Sequence, residues 1–315
     1  MKALVTGMTG FIGSHLAEFL LDKGMEVAGT VWDKNELKNV EAVKDKIPIL
    51  ECDIRDENRV TEIIKEVQPD RIFHLAAQSF PTVSWDEPKR TLDTNVLGTA
   101  YVFEAIRKSG LDPIVLVACS SAEYGFVSEK EVPVKEDHVL LPLHPYGVSK
   151  VAQDLLAYQY HQNFAIRTVR ARIFNTTGPR KTKDVCSDFT NRIVEIEKGK
   201  TNEMLVGNLE PKRDITDVTD VVNALWLLTE KGKMGDVYNI CSSRAYRIKD
   251  ILDWAISLSR VDVEFNVDPN KLRPTDEPII MGDNTKIRET CGWVPKMEMK
   301  ETLGSMLDYW REEIK

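Results

Sequence analysis

Apolar segments of strand length alternate with helix-like segments over the N-terminal half of the chain. We predict strands at six of them: Lys2–Thr6, Met25–Val31, Ile47–Cys52, Arg71–Ala76, Pro113–Cys119 and Ile166–Ile173. The segments between them space their apolar residues as helices do, most clearly in Glu57–Val67, Thr91–Ser109 and Tyr146–Asn163. Strands that alternate with helices form a parallel sheet covered on both faces, so the pattern predicts an α/β fold with a doubly wound parallel sheet.

The alternation weakens after residue 174. Residues Asn175–Asp184 are rich in Thr, Gly, Pro and Lys and are predicted to form a loop. Further along we predict the helices Val185–Lys198, Asp217–Glu230, Arg247–Ser257 and Lys300–Glu313 and a strand at Asp236–Ile240. We therefore expect a large N-terminal domain, residues 1–174 rejoined by about 215–240, and a smaller C-terminal α/β domain of residues 175–214 and 241–315.

Charge and cysteine content narrow the classes of function. The formal net charge of −8 argues against nucleic acid as a partner, although local basic residues could still hold an anionic ligand. The five cysteines are scattered and include no C-x-x-C pair, so we expect no disulfide framework, no metal site and a reducing, cytoplasmic location. The N-terminus lacks the pattern of a signal peptide, and no apolar run of about 18 residues predicts a membrane span.

Three glycines follow the first predicted strand and open the first predicted helix. Gly7, Gly10 and Gly13 are spaced G-x-x-G-x-x-G. Glycine permits a tight turn and the close approach of a pyrophosphate, which the free N–H groups of a helix N-terminus stabilise. An ordinary strand–helix turn would also explain three glycines, but their place at the start of a βαβ unit favours a dinucleotide site. We therefore assign dinucleotide binding to the N-terminal domain and the substrate to the C-terminal one.

The residues after the second and third strands do not decide between NAD and NADP. An acidic residue at the end of the second strand would bind a ribose hydroxyl and favour NAD, and Val31 cannot do this. Asp33 would repel a 2′-phosphate and Lys34 would attract one, so both NADP and NAD remain compatible. Asp53, at the end of the third strand, is placed to meet the adenine edge, and the N-cap of the next helix is an equally compatible role.

Tyr146 and Lys150 lie four residues apart in a predicted helix and so share a face. A nearby ammonium favours the phenolate, and we expect Lys150 to lower the pKa of Tyr146 so that the phenol exchanges a proton with a carbinol oxygen. Lys150 could also reach the nicotinamide ribose. Ser120 and Ser121 follow the strand Pro113–Cys119, at the carboxyl edge where such sheets bind ligands. A hydroxyl there could bind the reacting oxygen, which predicts a Ser-Tyr-Lys proton-transfer set.

Together these residues resemble the extended short-chain dehydrogenase/reductase family over essentially the whole chain. The resemblance rests on Thr6–Gly13 (TGMTGFIG), Cys52–Asp56 (CDIRD), His74–Gln78 (HLAAQ), Asn95–Thr99 (NVLGT), Ser120–Gly125 (SSAEYG) and Tyr146–Lys150 (YGVSK). Within the family the chain is most similar to the branch that acts on GDP-mannose derivatives, through Gln78–Trp85 (QSFPTVSW), Phe174–Pro179 (FNTTGP), Val206–Asp214 (VGNLEPKRD) and Leu272–Pro274 (LRP). The resemblance implies a Rossmann-type fold and an NAD(P)-dependent oxidoreductase with a nucleotide-sugar substrate.

The branch contains 4,6-dehydratases and 4-keto-6-deoxy-sugar reductases, and one position separates them. The dehydratases carry a glutamate two residues after the catalytic hydroxyl, where it serves as base for the sugar C5 proton. Counted back from Gly125, the catalytic hydroxyl falls on Ser120 and the glutamate position on Ala122. Glu123 is one residue later, and in an extended segment its side chain faces the other way, unless the loop bulges. Since reduction of a C4 ketone needs only a hydride and the Tyr146 proton, this departure favours the reductases.

The resemblance also implies the remaining binding residues. The cofactor would contact Gly7, Thr9, Gly10, Phe11, Ile12, Gly13, Asp53, Ile54, Leu75, Ala76, Ala77, Asn95, Tyr146 and Lys150. On the substrate side, Arg213 would meet the diphosphate, Arg273 the nucleotide end and Asp276 a ribose hydroxyl. Ion pairs with Asp214 or Asp276 are the simpler reading of the two arginines. The sugar side would be formed by Asn175, Ser79, Ser84 and Ser121.

Two predicted helices each carry a stripe of apolar residues, and the simplest interpretation is that both stripes pack in the core. They consist of Leu92, Val96, Val102, Phe103 and Ile106 on one helix and of Leu155, Leu156 and Tyr158 on the other. In the family these two helices also form the four-helix bundle of a homodimer, which the resemblance therefore implies here.

The sequence thus favours reduction of the C4 ketone of a nucleotide-activated 4-keto-6-deoxy sugar, with GDP-4-keto-6-deoxy-mannose as the leading substrate. The alternatives are GDP-mannose 4,6-dehydration, nucleotide-sugar 4-epimerisation and, from another class, a non-catalytic dinucleotide sensor. The intact set of Ser120, Tyr146 and Lys150 argues against the sensor.

Overall fold

The computed structural model of the protein describes residues 1–271 and 278–315, and strands and helices alternate along it. The strands are β1 Lys2–Thr6, β2 Glu26–Val31, β3 Ile49–Glu51, β4 Arg71–His74, β5 Ile114–Ser120, β6 Arg167–Ile173, β7 Asn175–Thr177, β8 Met204–Val206, β9 Lys212–Asp217, β10 Val237–Ile240, β11 Ala245–Arg247, β12 Phe265–Val267 and β13 Ile279–Ile280. The helices are α1 Phe11–Asp22, α2 Glu57–Val67, α3 Pro81–Asp86, α4 Pro88–Leu92, α5 Gly98–Ser109, α6 Pro145–Phe164, α7 Val185–Glu197, α8 Val218–Lys231, α9 Ile248–Ser257, α10 Thr285–Cys291 and α11 Met299–Glu313.

The central sheet has seven strands in the order β10-β6-β5-β4-β1-β2-β3. All of its pairings are parallel. From β1 the chain adds β2 and β3 on one side and then returns to add β4, β5 and β6 on the other. The predicted doubly wound parallel sheet is therefore confirmed, and the order of strands reverses between β1 and β4.

Helices cover both faces of this sheet, which explains why its strands are apolar nearly throughout. On one face α1 and α8 pack through residues such as Leu16, Leu20 and Leu225, which are fully buried. On the other face α2 and α5 pack through residues such as Ile63 and Phe103. The strand ends that carry chemistry are therefore held by an apolar core on each side.

Two predicted elements differ from the structure. The predicted helix Thr91–Ser109 is present as one helical run, but it begins earlier, at Pro88, and a π-helical turn, Asp93–Leu97, interrupts it between α4 and α5. The loop Asn175–Asp184 begins with the short strand β7, which pairs with β9. The other predicted strands and helices are present with ends shifted by up to two residues, as expected where ends fray.

Apart from β10, the strands that follow β6 in the sequence form two smaller sheets. Strands β7, β9, β11 and β13 form a four-stranded sheet, and β8 pairs with β12. An apolar cluster from α7, α9 and α11 packs beside them, with Ile193, Ile251 and Leu303 fully buried. Strand β10, by contrast, pairs with β6 in the central sheet. Within the described residues, every helix is too short or too polar to cross a lipid bilayer.

The two apolar stripes divide between core and surface. Val102, Phe103 and Ile106 are at most 2% exposed and pack inside the protomer, as the simpler interpretation predicts. Leu92 and Leu155 are 39% and 52% exposed. The part of each stripe that could meet another molecule is therefore smaller than the sequence pattern suggests.

Candidate active site

The carboxyl ends of β1 and β4 lie side by side where the strand order reverses, and ligands of open α/β sheets bind at such a point. Gly7 follows β1 with φ of +68°, and a Cβ there would lie 2.9 Å from the Ala76 Cα that follows β4. Gly13 sits over the same turn, where a Cβ would lie 2.4 Å from the Gly7 carbonyl oxygen. Glycine is therefore required at Gly7 and Gly13 by the protein's own backbone.

Gly10 has a different surrounding. Its Cβ would meet only the Gly7 carbonyl oxygen, at 3.2 Å, and the residue is exposed. It is the N-cap of α1, and no side chain caps the helix. The first N–H groups of α1 are thus left for a ligand, and a dinucleotide pyrophosphate fits both their charge preference and the open approach over Gly10.

The flanks of this loop are fixed by contacts within the protein. The Thr9 carbonyl accepts a hydrogen bond of 2.9 Å from the Asn39 side chain. Phe11 and Ile12 begin α1, and Leu75, Ala76 and Ala77 follow β4, all of them partly buried. Ile54 is buried against Gly98 of α5. The predicted contacts of these residues with the cofactor stay a prediction.

Asn95 is completely buried in the π-helical turn. Its Oδ1 accepts from the Gln78 backbone N–H at 2.7 Å, and its Nδ2 donates to the Gln78 carbonyl at 3.0 Å and to Ser149 Oγ at 2.8 Å. Because these contacts engage both ends of the amide, we expect Asn95 to hold the segment after β4 and not to bind the cofactor through its own side chain. The π turn is what brings this side chain inward.

Asp53 does not cap the following helix, so the alternative role considered for it is wrong. The N-cap of α2 is Asp56, whose carboxylate accepts from the N–H groups of Asn58 and Arg59. Asp53 instead makes a bidentate ion pair with Arg55, which holds the pKa of its carboxyl below the usual range. The adenine-edge role stays a prediction, with Arg55 now restricting where the carboxylate can point.

Ser120, Tyr146 and Lys150 are brought together by β5 and α6. Ser120 is the last residue of β5, and Tyr146 lies in the first turn of α6, close enough for the Ser120 side chain to act on the pKa of the Tyr146 hydroxyl. The Lys150 ammonium lies 5.7 Å from the centre of the Tyr146 ring and donates to the Ala118 carbonyl at 2.8 Å. The His144 ring begins the helix by accepting from the Gly147 N–H at 3.0 Å. The predicted proton-transfer set thus meets at one sheet edge.

The expected effect of Lys150 on the pKa of Tyr146 is not found. Burial raises the pKa of Tyr146 to about 12, and the Ser120 hydrogen bond only partly opposes this rise. Burial also lowers the pKa of Lys150 to about 8. The error comes from treating the pair as exposed, since loss of hydration disfavours the charge on both groups. In this structure Tyr146 therefore keeps its proton near neutral pH.

The segment that carries Ala122 and Glu123 is not extended, which corrects the expectation from sequence. Ser121–Glu123 forms a single 3-10 turn, and the Ser120 hydroxyl caps it by accepting from the Ala122 N–H at 3.2 Å. Glu123 is completely buried, and its Oε1 accepts from the Ser120 N–H at 2.8 Å. Burial and the Asp154 charge raise the pKa of Glu123 to about 8, against the opposing effect of Arg172. The carboxyl of Glu123 therefore points into the protein.

The residues predicted to bind the substrate differ in their exposure and in their contacts. Asn175 is exposed at the start of β7, where it donates to the Asp214 carbonyl at 3.3 Å, and Arg213 is half-buried on β9. The Asp214 carboxylate is buried and accepts hydrogen bonds from Ser242, Ser243 and Gly282. It thus has a structural role of its own in the second sheet.

The three serines differ in accessibility. Ser79 is exposed after β4, and Ser121 is partly buried beside Ser120. Ser84 is completely buried in α3 and donates to the Pro81 carbonyl at 2.6 Å, and its predicted contact with a sugar stays a prediction. Arg273 and Asp276 lie outside the described residues.

Sequence reasoning missed the buried charges behind Ser120. Arg170 and Arg172 on β6 contact Asp154 of α6, and Arg172 also contacts Glu123. The signal was available, because three arginines, two of them Arg170 and Arg172, stand in the segment Ile166–Ile173, which was read as a buried apolar strand. Buried guanidinium groups require anionic partners, so carboxylates had to be nearby.

Comparison with known proteins agrees with this geometry. A sequence model of the family described as GDP-mannose 4,6 dehydratase matches residues 4–306. The chain is 30% identical to the GDP-6-deoxy-D-mannose reductase of Pseudomonas aeruginosa, over 100% of this chain and 98% of that protein.

Two solved structures are similar over their whole length. The structure of RMD from Pseudomonas aeruginosa, complexed with NADPH, has a TM-score of 0.88 at 28% identity and covers 99% of both chains. The structure of UDP-glucose 4-epimerase from Thermotoga maritima, with UDP-glucose, has a TM-score of 0.91 at 28% identity and covers 100% of both. The likeness thus extends over both sheets and over the site between β1 and β4. The chain belongs to the GDP-mannose 4,6-dehydratase family of extended short-chain dehydrogenases/reductases.

Proposed function

We propose that this enzyme reduces the C4 ketone of a nucleotide-activated 4-keto-6-deoxy sugar, with GDP-4-keto-6-deoxy-mannose as its substrate and NAD(P)H as its reductant. One observation carries the proposal. The position of the dehydratase base is Ala122, and the neighbouring Glu123 is completely buried with its Oε1 on the Ser120 N–H. A carboxylate held in this way does not reach the C5 proton of a sugar, so elimination of water lacks its base.

The reduction follows from three side chains. When bound, the nicotinamide cofactor supplies the hydride. Ser120 and Tyr146 are neighbours at the carboxyl end of β5, where the Ser120 side chain acts on the pKa of Tyr146, so both hydroxyls can bind one carbonyl oxygen. Tyr146 is protonated near neutral pH, since burial raises its pKa to about 12, and it donates its proton to the alkoxide that forms at C4. Lys150, buried beside the Tyr146 ring, stabilises the phenolate left behind.

The residues around Gly10 fit a dinucleotide, and we propose NADP or NAD without deciding between them. The open first turn of α1 would hold the pyrophosphate. Lys34 is exposed beside Glu51, at 3.8 Å, while Asp33 is engaged with Asn35. The similar RMD structure is complexed with NADPH, which supports the phosphorylated form.

The substrate is assigned to the C-terminal part, residues 175–214 and 241–315, facing the dinucleotide-binding part of residues 1–174 and about 215–240. We propose that Arg213 binds the diphosphate and that Asn175 binds the sugar or diphosphate, since both lie near the turn from β6 into the second sheet. Ser79 and Ser121 are the hydroxyls that remain accessible for the sugar. Arg273 and Asp276 keep their proposed roles at the nucleotide.

We also propose that the enzyme is a homodimer. Four apolar side chains of α4, the π turn and α6 are between 39% and 52% exposed: Leu92, Leu97, Val148 and Leu155. Tyr158 is 45% exposed on the same helix as Leu155. An apolar surface of this kind is covered when two copies pack about a two-fold axis. A cytoplasmic location is proposed from the five cysteines, all buried free thiols.

Product analysis tests the reaction. The protein is incubated separately with GDP-mannose and with GDP-4-keto-6-deoxy-mannose, with and without NADPH or NADH, and the products are identified by mass spectrometry and NMR. We expect only the ketone to react, and only with reduced cofactor, giving a product two mass units heavier. Conversion of GDP-mannose to its 4-keto-6-deoxy derivative would establish the dehydratase, and reaction of a 4-hydroxyl sugar without added reductant would establish the epimerase.

A further inference from the structure

A chain of four buried charges connects the turn after β5 to α6. Glu123 Oε2 lies 3.1 Å from Arg172 Nε, and the same guanidinium lies 2.9 Å from Asp154 Oδ2. Asp154 Oδ1 lies 2.5 Å from Arg170 Nη1. All four side chains are at most 9% exposed. Asp154 follows Lys150 by one helical turn and Tyr146 by two, so the chain includes the helix that carries the other two proton-transfer residues.

The first link of this chain acts directly on Ser120. Glu123 accepts from the Ser120 backbone N–H at 2.8 Å, and the Ser120 hydroxyl accepts from the Ala122 N–H at 3.2 Å. Each end of the turn therefore holds the other, as in a helix capping box. This fixes the backbone of Ser120, and hence the direction of its hydroxyl toward Tyr146.

Packing alone does not account for such a set of charges. Removing charges from water costs free energy that their mutual attraction often fails to recover, and apolar residues of similar volume fill the same space at no such cost. Cys119, Glu123 and Asp154 also come close enough to one another to suggest a cation site. Arg170 and Arg172 already supply positive charge beside the carboxyl groups of Glu123 and Asp154, so the arrangement joins elements and has no need of an ion.

We propose that Glu123 is a positioning residue, which holds Ser120 in register with Tyr146 through the chain formed by Arg172 and Asp154. This inference rests on the proposed function for its kinetic part only. Small displacements of a catalytic group are costly, about a hundredfold in rate for 1 Å. The role needs a side chain long enough to place a hydrogen-bond acceptor on the Ser120 N–H, as glutamate does. It does not need the carboxyl group to exchange a proton.

Two substitutions of Glu123 separate positioning from proton transfer. Glu123→Gln keeps the length and the acceptor oxygen, whereas Glu123→Asp keeps the carboxyl group but withdraws the acceptor by one methylene. We expect Glu123→Gln to retain kcat within about threefold and Glu123→Asp to lose about tenfold or more, with the dissociation constant of NADPH unchanged in both. The reverse order, Asp active and Gln inactive, would assign the carboxylate a direct role in proton transfer and overturn the proposal.

A matched control is available on the surface. Glu131 makes the same type of contact, its Oε2 accepting from the Ser128 N–H at 3.1 Å, and it is exposed. Glu131→Asp should leave kcat and KM at wild-type values. Crystal structures of the two Glu123 variants give a readout that needs no substrate: the Ser120 hydroxyl should shift in Glu123→Asp and stay in place in Glu123→Gln. An unmoved Ser120 in Glu123→Asp overturns the inference, while wild-type protein inactive on every ketone tested overturns only the proposed function.

Discussion

The glycine loop allows binding and folding to be separated by two substitutions of the same kind. Gly10→Val places its Cβ 3.2 Å from one carbonyl oxygen, in open surroundings and at an ordinary φ of −67°. We expect it to cost about 1 kcal/mol of unfolding free energy. Gly13→Val places its Cβ 2.4 Å from the Gly7 carbonyl oxygen and 3.0 Å from the Met8 Cα, so the backbone must move, and we expect a loss of about 3 kcal/mol or more.

The assay measures melting temperature with and without cofactor. About 1 kcal/mol corresponds to a shift of about 2–4 °C in a domain of 150–250 residues, so Gly10→Val should melt only slightly below the wild type. NADPH at a hundred times its dissociation constant should stabilise the wild type by about 2.7 kcal/mol. Gly10→Val should lose this stabilisation, because the valine side chain occupies the approach of the pyrophosphate to α1.

Gly304→Val is the matched control, since a Cβ at Gly304 in α11 has no neighbour within 4 Å. It should melt close to the wild type and keep the full stabilisation by NADPH. An unchanged cofactor affinity of Gly10→Val in a calorimetric titration would refute the assignment of this loop to the dinucleotide.

Three further predictions follow from the site and the surface. Tyr146→Phe should lower kcat for ketone reduction by about 10²–10⁴-fold, because the alkoxide at C4 loses its proton donor. Reduction of the ketone at the wild-type rate would contradict this role. Light scattering should show a dimer of the wild type and a monomer of the double variant Leu155→Glu and Tyr158→Glu; a monomeric wild type at all concentrations would rule the interface out. Burial raises the pKa of Glu123 from 4.5 to about 8, so the native state holds a proton that the unfolded chain releases between these values. The stability that this proton contributes is present below pH 4.5 and is lost as pH rises through 8. Glu123→Gln should therefore gain unfolding free energy relative to the wild type as pH rises from 4.5 to 8. A difference between the two proteins that stays constant with pH in denaturant titrations would contradict the assignment.

The fold was predictable because its signals are local and repeated. The apolar strands, their helices and the glycine spacing after β1 are each readable within about ten residues, and a parallel α/β sheet leaves few ways to combine them. The set of Ser120, Tyr146 and Lys150 was likewise readable, since it needs only the end of one strand and one face of one helix.

The features missed depend on contacts distant in sequence. The pKa of Tyr146 follows burial by the folded chain, which the spacing to Lys150 does not reveal. The direction of Glu123 follows from the Ser120 cap and from Arg172, which lies 49 positions further along. Ser84 was assigned to the sugar through the family resemblance, which does not reveal that α3 turns its hydroxyl inward onto the Pro81 carbonyl.

The path of the hydride tests the central claim most directly. The enzyme is supplied, in separate reactions, with GDP-4-keto-6-deoxy-mannose and with GDP-mannose, each with NADPH or NADH carrying deuterium at C4 of the nicotinamide. The products are examined by NMR while cofactor oxidation is followed by absorbance. We predict one cofactor oxidised for each ketone reduced, with the deuterium at C4 of the sugar. Turnover of GDP-mannose to the 4-keto-6-deoxy product without net oxidation of cofactor, and with no deuterium at C4, would contradict the account.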